Sequence, residues 1–192
     1  MSARTQALDS TRLRMKHLKL RLDVLDVRLC EQGNRLLDNP TVHLFFKVIS
    51  RMGDGPFWYV LMLMLPLFAG VTGLVASFLM AACAWAGVGL YTHIKQRLQR
   101  PRPFALHPHI KAGARILDEY SFPSGHTLHA VAFMILVGGI FPWMLVVLVP
   151  FALLTALARV VLGLHYPSDV LAGGVIGLLF GSLTLSLSGW VL

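Results

Sequence analysis

Charged residues are scarce in this chain, and their scarcity excludes an ordinary soluble domain. Only 14% of the 192 residues are charged, 56% are hydrophobic, and the mean hydropathy is +0.67. Soluble globular domains typically carry about 25% charged residues. Cysteine is also rare: Cys30 and Cys83 are the only two, and the second lies within an apolar run. They exclude a disulfide framework, and the composition as a whole predicts an integral membrane protein.

The basic residues are unevenly distributed along the chain. Ten of the 17 Lys and Arg residues precede residue 55, six lie between Lys95 and Arg115, and Arg159 stands alone. A net charge of +8 is compatible with nucleic-acid binding, but a basic segment joined to a membrane domain more often contacts anionic lipid head groups. We therefore expect membrane lipids as partners and no nucleic acid.

Residues 1–54 form the first predicted unit, a basic N-terminal segment. Between residues 10 and 37, leucines recur among basic residues at spacings of four, three and four, at Leu18, Leu22, Leu25 and Leu29. This period predicts an amphipathic helix, which lies in the head-group plane of the membrane or packs its leucines on its own domain. Residues 41–52 are apolar but short and carry Lys47 and Arg51, which indicates an interfacial or half-inserted helix.

Residues 55–192 form the second predicted unit, a membrane-embedded domain with five hydrophobic stretches. The stretches cover residues 57–69, 71–93, 126–140, 142–164 and 167–192. A helix needs about 20 apolar residues to cross a bilayer. The sequence thus predicts an all-α fold, a polytopic membrane helical bundle of five to six transmembrane helices with an amphipathic N-terminal helix. In the last stretch, small residues at every fourth position predict close packing against a neighbouring helix of the same chain, at Gly173, Gly177 and Gly181.

Counting the spans brings distant polar residues to one membrane face. The span that ends near His93 leaves the membrane into a basic loop, and the span that begins at His126 enters from that loop. A tight turn at residues 141–142 reverses the chain, so the next span ends at His165 on the side of the loop and the last begins there at Asp169. A charged group inside a membrane costs about 2.5–3.5 kcal/mol on insertion scales. These polar residues therefore need partners or a common task.

The residues predicted at this face suit phosphate chemistry. Lys95, Arg102 and Arg159 are cations of the kind that bind a highly charged phosphate group, and the helix start at residues 123–126 adds backbone N–H donors. Phosphoryl transfer through histidine needs a nucleophile, a proton donor and fixed positive charge. The two histidines of this face complete that set, together with the carboxylate of Asp169, which can hold one imidazole nitrogen.

Three motifs in this set resemble those of the type-2 phosphatidic acid phosphatases. The first is Lys95 followed after six residues by Arg102-Pro103, and the second is Pro-Ser-Gly-His at residues 123–126. The third has the family spacing at its charged and histidine positions, which are Arg159, His165 and Asp169. Ala158 stands where the family has serine, which removes one hydroxyl contact near the arginine. The resemblance covers residues 58–192.

The resemblance implies a role for each of these residues. It implies that His165 is the phosphorylated nucleophile, that Asp169 orients it, and that His126 is the general acid. It also implies that phosphate is bound without a metal, by Lys95, Arg102, Ser124, Gly125 and Arg159. No cofactor is expected, because the histidines lack the carboxylate or cysteine partners of a metal site. Outside the motifs, we expect loop charge that helps to attract anionic head groups at Arg97, Arg100, Lys111 and Arg115. We expect solvated side chains at His107 and His109.

The resemblance implies a lipid phosphatase that hydrolyses a phosphomonoester or a diphosphate. The short chain is similar to bacterial phosphatases of undecaprenyl diphosphate, with phosphatidylglycerophosphate, phosphatidic acid and lipid A as alternative substrates. A lipid-to-lipid phosphotransferase and a non-catalytic membrane scaffold or transporter are the alternative functions. The resemblance places the active site on the extracytoplasmic face of the bacterial inner membrane. The basic N-terminus favours the cytoplasmic face if residues 41–52 do not cross.

Overall fold

The protein is described by a computed structural model that covers the backbone of residues 3–189 and the side chains of residues 14–189. This part of the chain is helical and contains no strand. Its α-helices are α1 (Ala3–Asn34), α2 (Pro40–Gly53), α3 (Pro56–Leu98), α4 (Pro103–Leu106), α5 (Gly125–Ile140), α6 (Leu145–Val161) and α7 (Pro167–Ser188). The predicted all-α class is therefore confirmed. The last three residues of the predicted final span, 190–192, lie outside the described part.

Three helical stretches of the described residues are long and apolar enough to cross a membrane: Pro56–Leu106, Pro142–Val161 and Pro167–Ser188. Helix α5 is apolar but shorter. Within α3 the helix is interrupted at Gly70, whose φ of 54° and ψ of −129° are not helical. The Ser77 hydroxyl donates to the Met62 carbonyl at 2.7 Å, so the two halves of α3 fold back on each other. The exact number of crossings and the division at residue 54 stay predictions.

Helix α1 does not bury the leucine stripe that the sequence suggested. All four leucines of the stripe are exposed, and the helix instead buries Asp26, Cys30 and Asn34 against the bundle. The Asn34 amide donates to the carbonyls of Lys111 and Val161 at 2.9 and 3.0 Å, which ties α1 both to the loop before α5 and to α6. The alternative in which the stripe packs on its own domain is wrong, while the position of α1 in the head-group plane stays a prediction.

Helices α5 and α7 pack closely because α7 presents glycines to α5. A Cβ atom built on Gly173 would lie 2.4 Å from the carbonyl oxygen of Ser124, the N-cap of α5. A Cβ on Gly177 or Gly181 would lie 2.4 or 2.6 Å from a carbonyl oxygen within α5. No side chain fits in that space, so the predicted contact within the chain is confirmed. The contact places the two helix starts together, and the Ser124 amide donates to the Asp169 carbonyl at 3.0 Å.

Candidate active site

The predicted site residues converge at one end of the bundle. Lys95 lies in the last turns of α3, Arg102 follows that helix, His126 begins α5, Arg159 ends α6, and His165 lies in the turn before α7. Lys95, Arg102, Arg159 and His165 are buried. This convergence is the one that span counting predicted.

His165 is almost completely buried, with 1% of its surface exposed. Its Nε2 lies 3.4 Å from Nη1 of Arg102, which also donates to the Leu164 carbonyl at 2.7 Å. Burial, followed by the charges of Arg102 and Arg159, holds the pKa of His165 well below its ordinary value. The imidazole is therefore neutral near pH 7, and a neutral ring nitrogen is the nucleophilic form of histidine.

Asp169 lies beside His165 but does not hydrogen-bond to it. The distance from His165 Nδ1 to Asp169 Oδ2 is 3.8 Å, and Nδ1 has no hydrogen-bond partner within the described residues. The carboxylate instead accepts from Arg100 Nη1 at 2.6 Å and from the Tyr166 amide at 2.8 Å. The predicted neighbours are in place, while the orienting bond between them is not formed.

Lys95 and Arg102 share one carboxylate, that of Asp118 in the loop before α5. Lys95 Nζ donates to Oδ1 at 2.8 Å, and Arg102 binds the same oxygen and the Asp118 carbonyl. Burial alone would raise the pKa of Asp118, but the hydrogen bonds and charges of Lys95 and Arg102 lower it below its ordinary value. Two of the three cations predicted to bind phosphate thus already hold an anionic group.

His126 and Arg159 share a second carboxylate, that of Asp54 in the turn between α2 and α3. His126 Nε2 lies 2.5 Å from Asp54 Oδ1, and Arg159 Nη1 lies 3.9 Å from the same oxygen. Arg159 Nη1 also donates to the Ser50 hydroxyl at 2.5 Å. The hydroxyl near Arg159 is therefore supplied by α2, whereas Ala158 is buried in an apolar cluster.

The start of α5 is built by its own cap. The Ser124 hydroxyl accepts from the Thr127 amide at 3.4 Å and lies 3.0 Å from the Thr127 hydroxyl, so it satisfies an N–H group of the first turn. At Gly125 an added Cβ would lie 3.0 Å from the Tyr91 ring. This glycine therefore permits close packing of an aromatic side chain, and the phosphate contacts predicted for both residues stay predictions.

A cavity of about 490 Å³ opens at these residues and extends into the bundle. Lys95, Gly125 and His126 line its polar end together with Asp54 and Asp118, and its inner end is lined by apolar side chains that include Trp58, Met62, Val88 and Phe133. A larger groove of about 930 Å³ lies between α1 and the segment after α3, and is also lined by Tyr166 and Ser168, which follow His165 in the chain. The smaller cavity therefore adjoins Lys95, Gly125 and His126, whereas His165, Arg102 and Arg159 line neither space.

The sequence did not predict the contacts that four residues make in this region. Arg100 was predicted to be loop charge, and that prediction is wrong: it binds Asp169, Asp26 and Ser168, and lies 4.1 Å from the centre of the Tyr166 ring. Asp26, Asp54 and Asp118 belong to none of the three motifs. Their one signal was scarcity: the chain has only nine acidic residues, and cations buried beside a membrane need carboxylate partners.

The other polar side chains of the loop before α5 make surface contacts. His109, predicted to be solvated, is exposed but pairs with Glu31 at 2.6 Å, and Lys111 pairs with Asp38 at 2.7 Å. Among the described residues, no group of three or more His, Cys, Asp or Glu side chains is arranged to hold a metal ion. The polar chemistry of the site is therefore carried by arginine, lysine, histidine and aspartate side chains.

Known proteins are similar to this chain in sequence and in fold. Residues 70–191 match the PAP2 superfamily. Decaprenylphosphoryl-5-phosphoribose phosphatase of Mycobacterium tuberculosis is 30% identical over 155 residues, which are 80% of this chain and 85% of that protein. Undecaprenyl-diphosphatase BcrC of Bacillus subtilis is 34% identical over 120 residues, 61% of this chain and 54% of that protein.

The fold is shared with a solved structure at lower sequence identity. The crystal structure of a transmembrane PAP2-type phosphatidylglycerolphosphate phosphatase from Bacillus subtilis has a TM-score of 0.72 at 20% identity, with 90% of this chain and 88% of that chain covered. Apolar helices and this common fold agree with an integral membrane protein. Since the superfamily match spans more than half of the sequence, this chain belongs to the PAP2 superfamily.

Proposed function

We propose that this protein is a lipid phosphatase that works through a phosphohistidine at His165. The observation that carries the proposal is the setting of this residue: a buried, neutral imidazole whose Nε2 lies 3.4 Å from the guanidinium of Arg102. A phosphate group bound to that guanidinium lies next to the nucleophilic nitrogen. Lys95 and Arg159 supply further fixed charge for the equatorial oxygens of the transferring group.

The proposed reaction has two steps. In the first, Nε2 of His165 attacks phosphorus, the bond to the leaving oxygen breaks, and His126 gives that oxygen a proton. In the second, water attacks the phosphohistidine, His126 accepts a proton from the water, and the P–N bond breaks to release phosphate. Asp169 then acts by closing the 3.8 Å gap to Nδ1 as the ring gains positive charge.

The proposed substrate is a polyprenyl lipid that carries a phosphate or a diphosphate, with undecaprenyl diphosphate as the first choice. Two similar proteins support this choice, because the names of both contain a polyprenyl lipid. The more extensive of the two matches favours a second candidate, the phosphomonoester of a polyprenyl-linked sugar. The apolar inner wall of the cavity suits the first carbons of a lipid tail. We place the site on the extracytoplasmic face of the bacterial inner membrane.

A phosphate-release panel on the purified protein tests the function. The substrates are undecaprenyl diphosphate and monophosphate, a polyprenyl-linked sugar phosphate, phosphatidylglycerophosphate, phosphatidic acid and lipid A. A labelled diphosphate with lipid acceptors separates transfer to lipid from transfer to water. We expect release from a polyprenyl substrate, with a rate that EDTA does not change because fixed cations hold the phosphate.

The matched variants for this panel are His165→Ala and His109→Ala. The first removes the proposed nucleophile and should reduce release to background, while the second removes an exposed imidazole outside the cavity and should leave the rate unchanged. Full turnover by His165→Ala contradicts the phosphohistidine. No release from any lipid by the wild type contradicts the phosphatase and favours a scaffold or transporter.

A further inference from the structure

The carboxylate of Asp54 contacts both the proposed proton donor and one of the proposed phosphate-binding cations. Its Oδ1 lies 2.5 Å from His126 Nε2 and 3.9 Å from Arg159 Nη1. The side chain is 11% exposed and lines the cavity beside His126. Asp54 precedes the residues that match the superfamily, 70–191, so the match itself assigns it no role.

The position of Asp54 in the chain is unfavourable for an acidic side chain. It is the C-terminal cap of α2, where the helix dipole is negative, and a carboxylate there is destabilised by about 0.3–1 kcal/mol. Its amide donates to the Ser50 carbonyl at 3.0 Å, so the backbone fixes the place from which the carboxylate starts. A residue that departs from a local preference in this way is expected where it serves a function.

The turn that carries Asp54 is also held close to the element that carries Arg159. A Cβ built on Gly53 would lie 3.2 Å from the Thr155 methyl group of α6. Gly55 has a φ of 148°, a conformation that favours glycine. Burial would raise the pKa of Asp54, but its hydrogen bond to His126 and the nearby charges lower it. The carboxylate is therefore ionised at neutral pH and held by the fold.

We propose that Asp54 is a positioning residue for His126. This inference rests on the proposed function, because it assigns a task within the same reaction. The carboxylate accepts a hydrogen bond from the protonated Nε2 of the imidazole. Nδ1 is then the nitrogen that faces the leaving oxygen. The pair repeats the arrangement by which a carboxylate orients a catalytic histidine.

The proton balance of the reaction explains why the carboxylate is needed. To donate a proton in the first step, His126 must become an imidazolium with a proton on each nitrogen, a form that burial and the charge of Arg159 disfavour and that Asp54 favours by retaining the proton on Nε2. The proton on Nδ1 moves to the leaving oxygen as the P–O bond breaks and the bond from phosphorus to His165 forms. A proton from water returns to Nδ1 in the second step. The other groups that face the ring, Arg159, His129 and His165, supply no negative charge, so Asp54 alone stabilises the imidazolium.

The test compares Asp54→Asn with Asp38→Asn on two leaving groups. Asp38 is a matched carboxylate that is 68% exposed and pairs with Lys111 at the surface. One substrate is a polyprenyl monophosphate, whose alkoxide leaving group needs a proton. The other is an aryl phosphate, whose phenolate leaving group does not. Thermal unfolding in detergent checks that each variant is folded.

We expect Asp54→Asn to lower kcat on the lipid monophosphate by about 10- to 100-fold, within the range of general acid catalysis. KM should change by less than about threefold, because the substitution does not remove a contact that binds substrate and transition state equally. The alkaline limb of the pH profile should move to lower pH. On the aryl phosphate, kcat/KM, which reports only the steps up to departure of the phenolate, should fall by less than about threefold, and Asp38→Asn should match the wild type on both substrates.

Three results would overturn the inference: an unchanged kcat on the lipid, an equal loss of kcat/KM on both leaving groups, or a gain in activity, which would show that Asp54 competes with substrate. If Asp54→Asn does not fold, Asp54→Glu retains the charge and should keep the wild-type alkaline limb at a reduced kcat; a shifted limb in that variant overturns the inference as well. Failure of the proposed function is distinct, because it shows in the wild type or in His165→Ala.

Discussion

Replacing Asp118 with asparagine should have opposite effects on stability and on phosphate binding. Asp118 neutralises Lys95 and Arg102, two buried cations that we propose bind the substrate phosphate. In the free protein its carboxylate occupies the donors that we propose bind phosphate. Asparagine has nearly the same shape but no charge, so the variant leaves both cations without a counter-ion until phosphate arrives.

The loss of stability follows from the geometry of the two ion pairs. Breaking a fully buried pair by removal of one partner costs about 3–5 kcal/mol. The Asp118 side chain is 39% exposed, so solvent screens the interaction, and the amide retains part of the hydrogen bonding. We therefore expect Asp118→Asn to lower the free energy of unfolding by about 1–3 kcal/mol.

The gain in phosphate affinity arises because no carboxylate has to be displaced. We expect orthophosphate to bind the variant more tightly by about 1–2 kcal/mol, a factor of about 5 to 30 in Kd. Thermal unfolding in detergent at increasing orthophosphate measures both effects, because a ligand that binds the folded state raises the midpoint in proportion to ln(1 + [L]/Kd). The two melting curves should therefore approach each other as phosphate is added.

The pH dependence has a defined sign. Because the pKa of Asp118 is lowered in the folded protein, its contribution is fully present above its unfolded pKa and is lost as pH falls through the folded pKa. The wild type should lose its greater free energy of unfolding relative to Asp118→Asn only at acidic pH. If the variant instead binds phosphate more weakly, Asp118 holds Lys95 and Arg102 in position for substrate, and the reasoning from displacement is refuted.

Two further predictions concern packing and topology. Gly173→Ala should destabilise the protein by about 1–3 kcal/mol in thermal unfolding, because the new Cβ meets the Ser124 carbonyl at 2.4 Å, whereas Gly174→Ala, whose nearest neighbour is at 4.0 Å, should not destabilise it. Equal midpoints for the two variants would contradict the close contact of α5 and α7. Single cysteines placed at Pro108 and Trp143, with Cys30 and Cys83 replaced, should report opposite sides of the membrane. A membrane-impermeant thiol reagent outside the cell should label the first and not the second, and the reverse pattern would place the site in the cytoplasm.

The general arrangement of the site was predictable because membrane spans impose alternation. Once His93 and His126 are taken as the two ends of one loop, the positions of Arg159 and Asp169 follow from the number of crossings. The glycines of α7 were equally legible, since small residues at every fourth position favour close helix contact. These inferences use only local patterns and the thickness of a bilayer.

The carboxylates that pair with the site were not predictable in the same way. Asp54, Asp118 and Asp26 lie 72, 23 and 74 residues from the partners they bind, His126, Lys95 and Arg100. No hydrophobic period passes through them, and each lies in a turn, a loop or a helix rich in other charges. Their contacts depend on the register in which α1, α2 and the loop before α5 pack, which only the tertiary structure provides.

The cations and carboxylates of the site nearly balance in charge. The cations are Lys95, Arg100, Arg102 and Arg159, and the carboxylates are Asp26, Asp54, Asp118 and Asp169. Near-neutrality explains how so many cations are tolerated beside an apolar bundle, because an unpaired buried charge is costly.

A phosphate dianion that enters such a site must replace negative charge already there. Asp118 lies in a loop, is more exposed than Asp54, and binds both Lys95 and Arg102, so its departure frees two positive charges for two negative ones. Asp54 is fixed at the end of α2 by its own backbone amide and is largely buried. We therefore expect Asp54 to remain beside His126 during the reaction, as a positioning residue must, and Asp118 to be the carboxylate that the substrate displaces.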